Sequence, residues 1–216
     1  MKKTLFLIIA AVFMCNITVH SQYKSDKKVV TFEIKTDYGT MKGVLYNETP
    51  QHRDNFVKLA NQGFYDGLLF HRVISGFMIQ GGDPDSKNAK EGQSLGMGGP
   101  GYTVPAEFNK MFIHKKGALA AARTGDQMNP QKASSGSQFY IVQGKPVGAG
   151  QLGSNYTPEQ KNIYQKIGGT PFLDNNYTVY GEITEGLEVI DKIAAVQKDQ
   201  NDRPSKDVKM TVKIIK

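Results

Sequence analysis

Phe70-His71-Arg72-Val73-Ile74-Ser75-Gly76-Phe77-Met78-Ile79-Gln80-Gly81-Gly82-Asp83 is the stretch on which the reading of this chain turns. Leu68–Ile74 and Phe77–Gln80 are short apolar runs broken by Ser75-Gly76, a pattern that reads as two strands around a tight turn. Arg72 lies inside the first run, where an unpaired buried charge is costly. Local features leave two readings open. Arg72 sits at a sheet edge against a carboxylate such as Asp83 or Glu107, or it serves a site that needs a fixed cation.

Outward from this stretch the chain reads as mostly strands. Val29–Lys35 alternates, with Val30, Phe32 and Ile34 on one side; Asp37-Tyr38-Gly39 is a turn signal and Met41–Tyr46 follows, so the two form a hairpin. Thr49-Pro50 reads as N-cap and first position of a helix carrying Phe56, Leu59 and Ala60, stopped by Gly63. Residues 81–109, rich in Gly, Pro, Asp and Ser, read as a long loop. Gly117–Ala122, Ser137–Val142 and Thr178–Ile183 are further strand candidates, with Ser134-Ser135 in a polar turn between two of them. Gly186–Val196 reads as a helix, and Asp207–Ile215 as a closing strand with Val208, Met210, Val212 and Ile214 on one side. Many strands and two main helices, without a β-α-β rhythm, favour an antiparallel barrel or sandwich with helices at its ends.

Residues 144–169 stand apart as a surface insertion. They have glycines at both ends, and Thr157-Pro158-Glu159-Gln160 matches the T-x-x-Q capping box that opens a helix.

The first 21 residues, MKKTLFLIIAAVFMCNITVHS, have a Lys2-Lys3 start, an apolar run from Leu5 to Cys15, and small residues Val19 and Ser21 before Gln22. This is the pattern of a cleaved export signal, too short for a comfortable membrane span. A lipoprotein signal at Cys15 is less well supported, because Met14 occupies a position that needs a small residue. The expected organisation is a leader over 1–21, a tether over 22–28 and one domain over 29–216, exported to the periplasm with no membrane insertion after cleavage. The single cysteine falls inside the leader, which suits an oxidising compartment.

Composition narrows the chemistry. The chain has 216 residues, 39% hydrophobic and 22% charged, enough to bury a core. A net charge of +7 without a Lys/Arg block reads as a solvated mixed surface rather than a nucleic-acid site. One cysteine and four histidines without H-x-x-x-H spacing give metal ligation no support. Gly96-Met97-Gly98-Gly99-Pro100-Gly101 fits G-x-G-x-x-G, but a dinucleotide site needs a strand before it and a helix after it. It is read as a flexible loop. Gly136-Ser137-Gln138 lacks the nucleophile elbow of hydrolases.

Two later blocks decide the reading of Arg72. Ser135-Gly136-Ser137-Gln138-Phe139-Tyr140-Ile141 is one; Phe172-Leu173-Asp174, followed by Tyr177-Thr178-Val179-Tyr180-Gly181-Glu182, is the other. With the opening stretch, which nearly reproduces F-H-R-x-x-x-G-F-M-x-Q-G-G-D, they resemble the cyclophilin family of peptidyl-prolyl cis–trans isomerases. The resemblance runs from about Val29 to Lys216, apart from the insertion.

That resemblance implies a mainly β fold, an eight-stranded antiparallel barrel capped by two helices, here with a short helical insertion. It implies a rotamase acting on proline-containing polypeptides at an outer groove, with no cofactor or metal, and a monomer is expected. By motif position Arg72 would be catalytic, Phe77, Met78, Tyr140 and Leu173 would line a proline pocket, and Gln80 would orient Arg72. Ala122, Arg123 and Gln138 would border the peptide groove, and Phe172 and Tyr177 would close the far side. Four positions depart from the familiar pattern: Phe172 stands where many members have Trp, Tyr177 where many have His, Tyr140 replaces Phe and Arg123 replaces Asn. The first three keep a ring in place.

Overall fold

The computed structural model describes residues 28–215; the expected leader and nearly all of the tether lie outside the described residues. The chain order is β1 Val30–Thr36, β2 Gly39–Leu45, α1 Pro50–Asn61, β3 Arg72–Ile74, β4 Met78–Gly81, β5 Thr103–Val104, β6 Ala118–Ala121, β7 Ser134–Ser135, β8 Phe139–Val142, α2 Pro158–Ile167, β9 Val179–Glu185, α3 Leu187–Ala194 and β10 Thr211–Ile214.

Eight strands form one antiparallel sheet in the order β10-β1-β2-β9-β6-β8-β4-β3. Its two ends meet through the residues just before β3 and β10. The Gly67 amide donates to the Met210 carbonyl at 2.9 Å, Met210 N–H to Leu68 O at 2.8 Å, and Phe70 N–H to Val208 O at 2.9 Å. This is the expected antiparallel barrel-like arrangement. It also explains why β10 is shorter than the expected strand over 207–215: residues 208–210 pair with 67–70, and only Thr211–Ile214 pair with β1.

Side-chain alternation divides the sheet into an interior and an exterior. On β8, Phe139 and Ile141 enter the main core while Tyr140 and Val142 join a second apolar cluster; on β6, Leu119 and Ala121 go inward and Ala118 and Ala120 outward; on β4, Ile79 goes inward and Met78 outward. The faces expected from alternation, Val30, Phe32 and Ile34 on β1 and Val208, Met210, Val212 and Ile214 on the closing segment, also turn to the main core, and a one-residue slip would exchange the two sides. Helix α1 adds Phe56 and Leu59 to the main core, and α3 adds Val189, Ile190 and Ile193.

Local details depart from expectation at two places. Thr49 holds the N-cap position of α1 but makes no side-chain cap, and among the described residues its buried hydroxyl has no partner. The α1 amides are capped from afar: Glu107 accepts from Gln51 N–H at 3.1 Å and His52 N–H at 3.0 Å, which also places a carboxylate at the positive end of the helix. Ser134-Ser135 is not a free polar turn but strand β7, paired with β5.

The insertion carries the expected helix, α2. Thr157 Oγ1 accepts from Gln160 N–H at 3.2 Å and Gln160 Oε1 accepts from Thr157 N–H at 3.1 Å, a complete capping box. Its two ends come together in an antiparallel bridge between Lys145 and Gly169. One face of α2 is buried: Tyr164 has no solvent exposure and packs with Ile113 and Leu152.

Candidate functional site

Strand pairing lines up the polar half of the site. Arg72 on β3 lies opposite Gln80 on β4, and Gln80 opposite Tyr140 on β8. Arg72 Nη1 donates to Gln80 Oε1 at 3.2 Å, Gln80 Nε2 donates to Gln138 Oε1 at 3.1 Å, and Gln138 Nε2 donates to the carbonyls of Gly96 and Gly98 at 2.9 and 2.7 Å. Each amide gives its N–H₂ away from the arginine and turns its oxygen toward it, so the chain of bonds has one consistent direction. Arg72 is at a sheet edge, but among the described residues no carboxylate forms an ion pair with it. Asp83 and Glu107, the two candidate partners, are occupied elsewhere. A half-buried guanidinium with a single neutral acceptor keeps donors to spare.

Asp83 organises the glycine-rich loop. Its fully buried carboxylate accepts from the amides of Asp85, Gly96 and Gly98. The amides that a phosphate would need are thus already bonded to a carboxylate, and the loop expected to be flexible is clasped by Asp83 from one side and Gln138 from the other. Two glycines are required for this approach: Gly96 has φ +102°, and a Cβ on Gly98 would lie 2.1 Å from Asp83 Oδ1.

The apolar half comes from the outward-facing alternates. Met78, Ala122, Tyr140 and Leu173 belong to one buried cluster, with Phe77 and Tyr177 packed against it. The Tyr140 and Tyr177 rings meet edge to face at 5.9 Å, and Phe77 lies 5.6 Å from Phe172. Phe172 is 69% exposed, so it forms a rim rather than a wall. Ala122 belongs both to this cluster and to an adjoining cavity of about 650 Å³, which Gln80, Arg123, Gln138 and the 96–101 loop also line. All eleven residues singled out from the sequence therefore gather in one region.

Arg123 enters this region in an unforeseen way. Its side chain is 4% exposed: Nε donates to Asn176 O at 2.9 Å, Nη1 to Thr124 O and Asp126 Oδ1 at 3.0 and 2.6 Å, and the guanidinium lies 4.4 Å over the Tyr177 ring. It holds Tyr177 in place by cation–π contact and charge-assisted bonds.

Sequence reading missed two buried relays. In one, His52 Nδ1 lies 2.6 Å from Glu107 Oε2 and Nε2 lies 2.9 Å from Ser134 Oγ. The order Ser-His-Glu has the polarity of a hydrolase triad, yet Ser134 is 1% exposed and the adjoining cavity holds about 10 Å³, room for one water. Burial also lowers the His52 pKa, against the pull of Glu107. No acyl substrate reaches that hydroxyl, and the relay ties the 103–107 segment and β7 to α1. In the other, His114 Nδ1 lies 2.7 Å from Asp174 Oδ1 and Nε2 lies 3.0 Å from the Tyr140 hydroxyl. The partners are 60 and 26 residues apart, so no local motif announces them.

The family model for cyclophilin type peptidyl-prolyl cis-trans isomerase/CLD matches residues 30–214. A protein of Staphylococcus aureus (strain USA300) named as a peptidyl-prolyl cis-trans isomerase is 38% identical over 195 residues, covering 85% of this chain and 92% of that one. A Streptococcus pyogenes protein named as a bifunctional phosphatase/peptidyl-prolyl cis-trans isomerase is 38% identical over 184 residues; the match covers 81% of this chain but 36% of that longer one. In fold, a crystal structure of a Cryptosporidium parvum cyclophilin type isomerase superposes with a TM-score of 0.64 at 23% identity, over 88% of this chain and 99% of the other. With the matching blocks of sequence gathered on the outer face of the sheet, the chain belongs to the cyclophilin family of peptidyl-prolyl cis-trans isomerases.

Proposed function

We propose that Arg72 is the catalytic residue of this isomerase, that Phe77, Met78, Tyr140 and Leu173 hold the proline ring, and that the clients are exported polypeptides. An X-Pro amide resists rotation because its nitrogen donates into the carbonyl; the barrier is ~18–20 kcal/mol, and exchange takes tens to hundreds of seconds unaided. In the twisted transition state that conjugation is lost and the prolyl nitrogen becomes a hydrogen-bond acceptor. A guanidinium aimed at it stabilises the twisted form more than the planar one, which is the condition for catalysis.

The observation that carries this reading is the setting of Arg72. It is charged, fixed by Gln80, free of any carboxylate among the described residues and adjacent to an apolar cluster that fits a proline ring. Gln80 and Gln138 keep the guanidinium from swinging, and the cavity beside Ala122 receives chain flanking the proline. The wall grips one side of the bond while the other side turns.

The test is turnover of an X-Pro tetrapeptide by Arg72→Ala. The expected loss in kcat/KM is about 10²–10³-fold, the size seen when one transition-state donor is removed, with folding and peptide binding retained. Near-normal turnover by the folded variant would refute the assignment. Action on exported clients rests on the leader-like residues 1–21. Intact mass of protein recovered from the cell envelope should match a chain starting at or near Gln22; full-length chain recovered from the cytoplasm would overturn that part.

A further inference from the structure

Tyr140 replaces the Phe of the familiar pattern, so its hydroxyl is a feature of this chain, and the structure gives it a use. Asp174 is 5% exposed at its side chain and His114 not at all. Asp174 Oδ1 accepts from the His114 amide at 2.8 Å and lies 2.7 Å from His114 Nδ1; Oδ2 accepts from the hydroxyls of Tyr156 at 2.9 Å and Tyr164 at 2.6 Å. Four donors fill the four lone-pair positions of the carboxylate. In the tautomer that gives Nδ1–H to Asp174, His114 has a lone pair on Nε2, and the Tyr140 hydroxyl, 3.0 Å away, is placed to donate to it. The same Asp174 closes the turn that carries Phe172 and Leu173, its amide donating to Pro171 O at 3.1 Å. Tyr156 and Tyr164 both belong to the insertion over 144–169. The single Tyr156 hydroxyl proton is shared with that turn, since Pro171 O also lies 3.0 Å from the oxygen.

We propose that the inserted segment is a positioning element for the proline pocket: Tyr156 and Tyr164, acting through Asp174 and His114, set the Tyr140 ring and the Leu173 turn. The proposal rests on the reading of Tyr140 and Leu173 as pocket walls. Because the relay reaches the wall and not Arg72 or Gln80, it governs how firmly the proline is held rather than how fast the held bond turns. The insertion is a buttress, and its own exposed face need touch no client.

The experiment measures kcat and KM separately for a proline tetrapeptide, using the full chain. Tyr164→Phe removes one hydroxyl and is expected to raise KM about three- to tenfold, the equivalent of one hydrogen bond, with kcat within about twofold. A merely structural defect would lower kcat in proportion to the unfolded fraction and leave KM alone. Tyr140→Phe should raise KM similarly, and the double variant should be no worse than the worse single, because both cut the same chain. An unchanged KM in folded Tyr164→Phe, or full additivity in the double variant, overturns the relay.

Side-chain ¹⁵N NMR of the unaltered protein gives an independent reading that needs no variant to fold. His114 should carry its proton on Nδ1 with Nε2 accepting; the opposite tautomer overturns the relay. Loss of turnover in Arg72→Ala beside a normal KM in Tyr164→Phe rejects the relay alone, whereas normal turnover in Arg72→Ala rejects the reading of the pocket.

Discussion

The His52 and His114 networks use the same three parts, a carboxylate, an imidazole and a hydroxyl, in two regions of one molecule. In both, the carboxylate orients the ring through Nδ1 and the hydroxyl answers at Nε2. They differ in what the hydroxyl is attached to. Ser134 ends its network at a buried position of the β5–β7 ladder, opposite Val104 and against α1, and the network is structural. Tyr140 ends the other on a ring that forms one wall of the outer cluster, beside Gln80. Relay geometry alone therefore says little about function; the element at the end of the relay decides what the relay serves.

A third histidine sharpens the comparison because it lacks the device. His71 is 4% exposed and, among the described residues, neither ring nitrogen has a partner at hydrogen-bond geometry. Burial lowers its pKa to about 4, with Arg72 and Arg203 pushing the same way and Asp83 and the Leu69 backbone opposing. In the unfolded chain the group titrates near 6.5. Between these values the unfolded state binds more protons, so stability is full above pH 6.5 and falls as the pH drops toward 4. The gap corresponds to about 3 kcal/mol. Denaturant unfolding from pH 7 to 4 should show this loss, and His71→Leu should remove the share that belongs to His71. A slope unchanged by the substitution would mean that His71 has a partner for its charged form after all.

A smaller effect is expected at His52. His52→Leu strands the Ser134 hydroxyl and removes one donor from Glu107, at a cost of about 1–3 kcal/mol. Since Ser134 does not line the groove, KM for the tetrapeptide should stay at its unaltered value, in contrast to the rise expected when the His114 relay is cut. A KM increase in His52→Leu equal to that in Tyr164→Phe would break the distinction between the two networks.

What could be read in advance follows the range of the interactions. The hairpin of β1 and β2, the inward faces of β10 and the capping box of α2 depend on residues a few positions apart, and each is present as read. Thr49 holds the N-cap position as expected, its carbonyl accepting from Arg53 N–H at 3.0 Å, but its side chain makes no cap bond. Its neighbours suit an N-cap, but Glu107, more than fifty residues on, reaches the same amides first. The glycine-rich loop follows the same rule: its composition suits a loop, while the buried Asp83 carboxylate, which binds its Gly96 and Gly98 amides, lies outside it.

The site divides along the same line. The residue types that gather at the outer face could be named from the chain alone, because the Arg72–Asp83 stretch and the two later blocks carry a family resemblance that a single chain displays. Alternation along β4, β6 and β8 then sends their outward residues to one side. Only the tertiary structure decided what steadies them: Arg123 folded over Tyr177, Gln138 bound to the glycine loop, and Tyr164 reaching Tyr140 through Asp174 and His114. Those contacts join segments far apart along the chain. No pairwise spacing encodes them, because they form only after the sheet has closed and buried polar groups must find partners wherever the packing brings them.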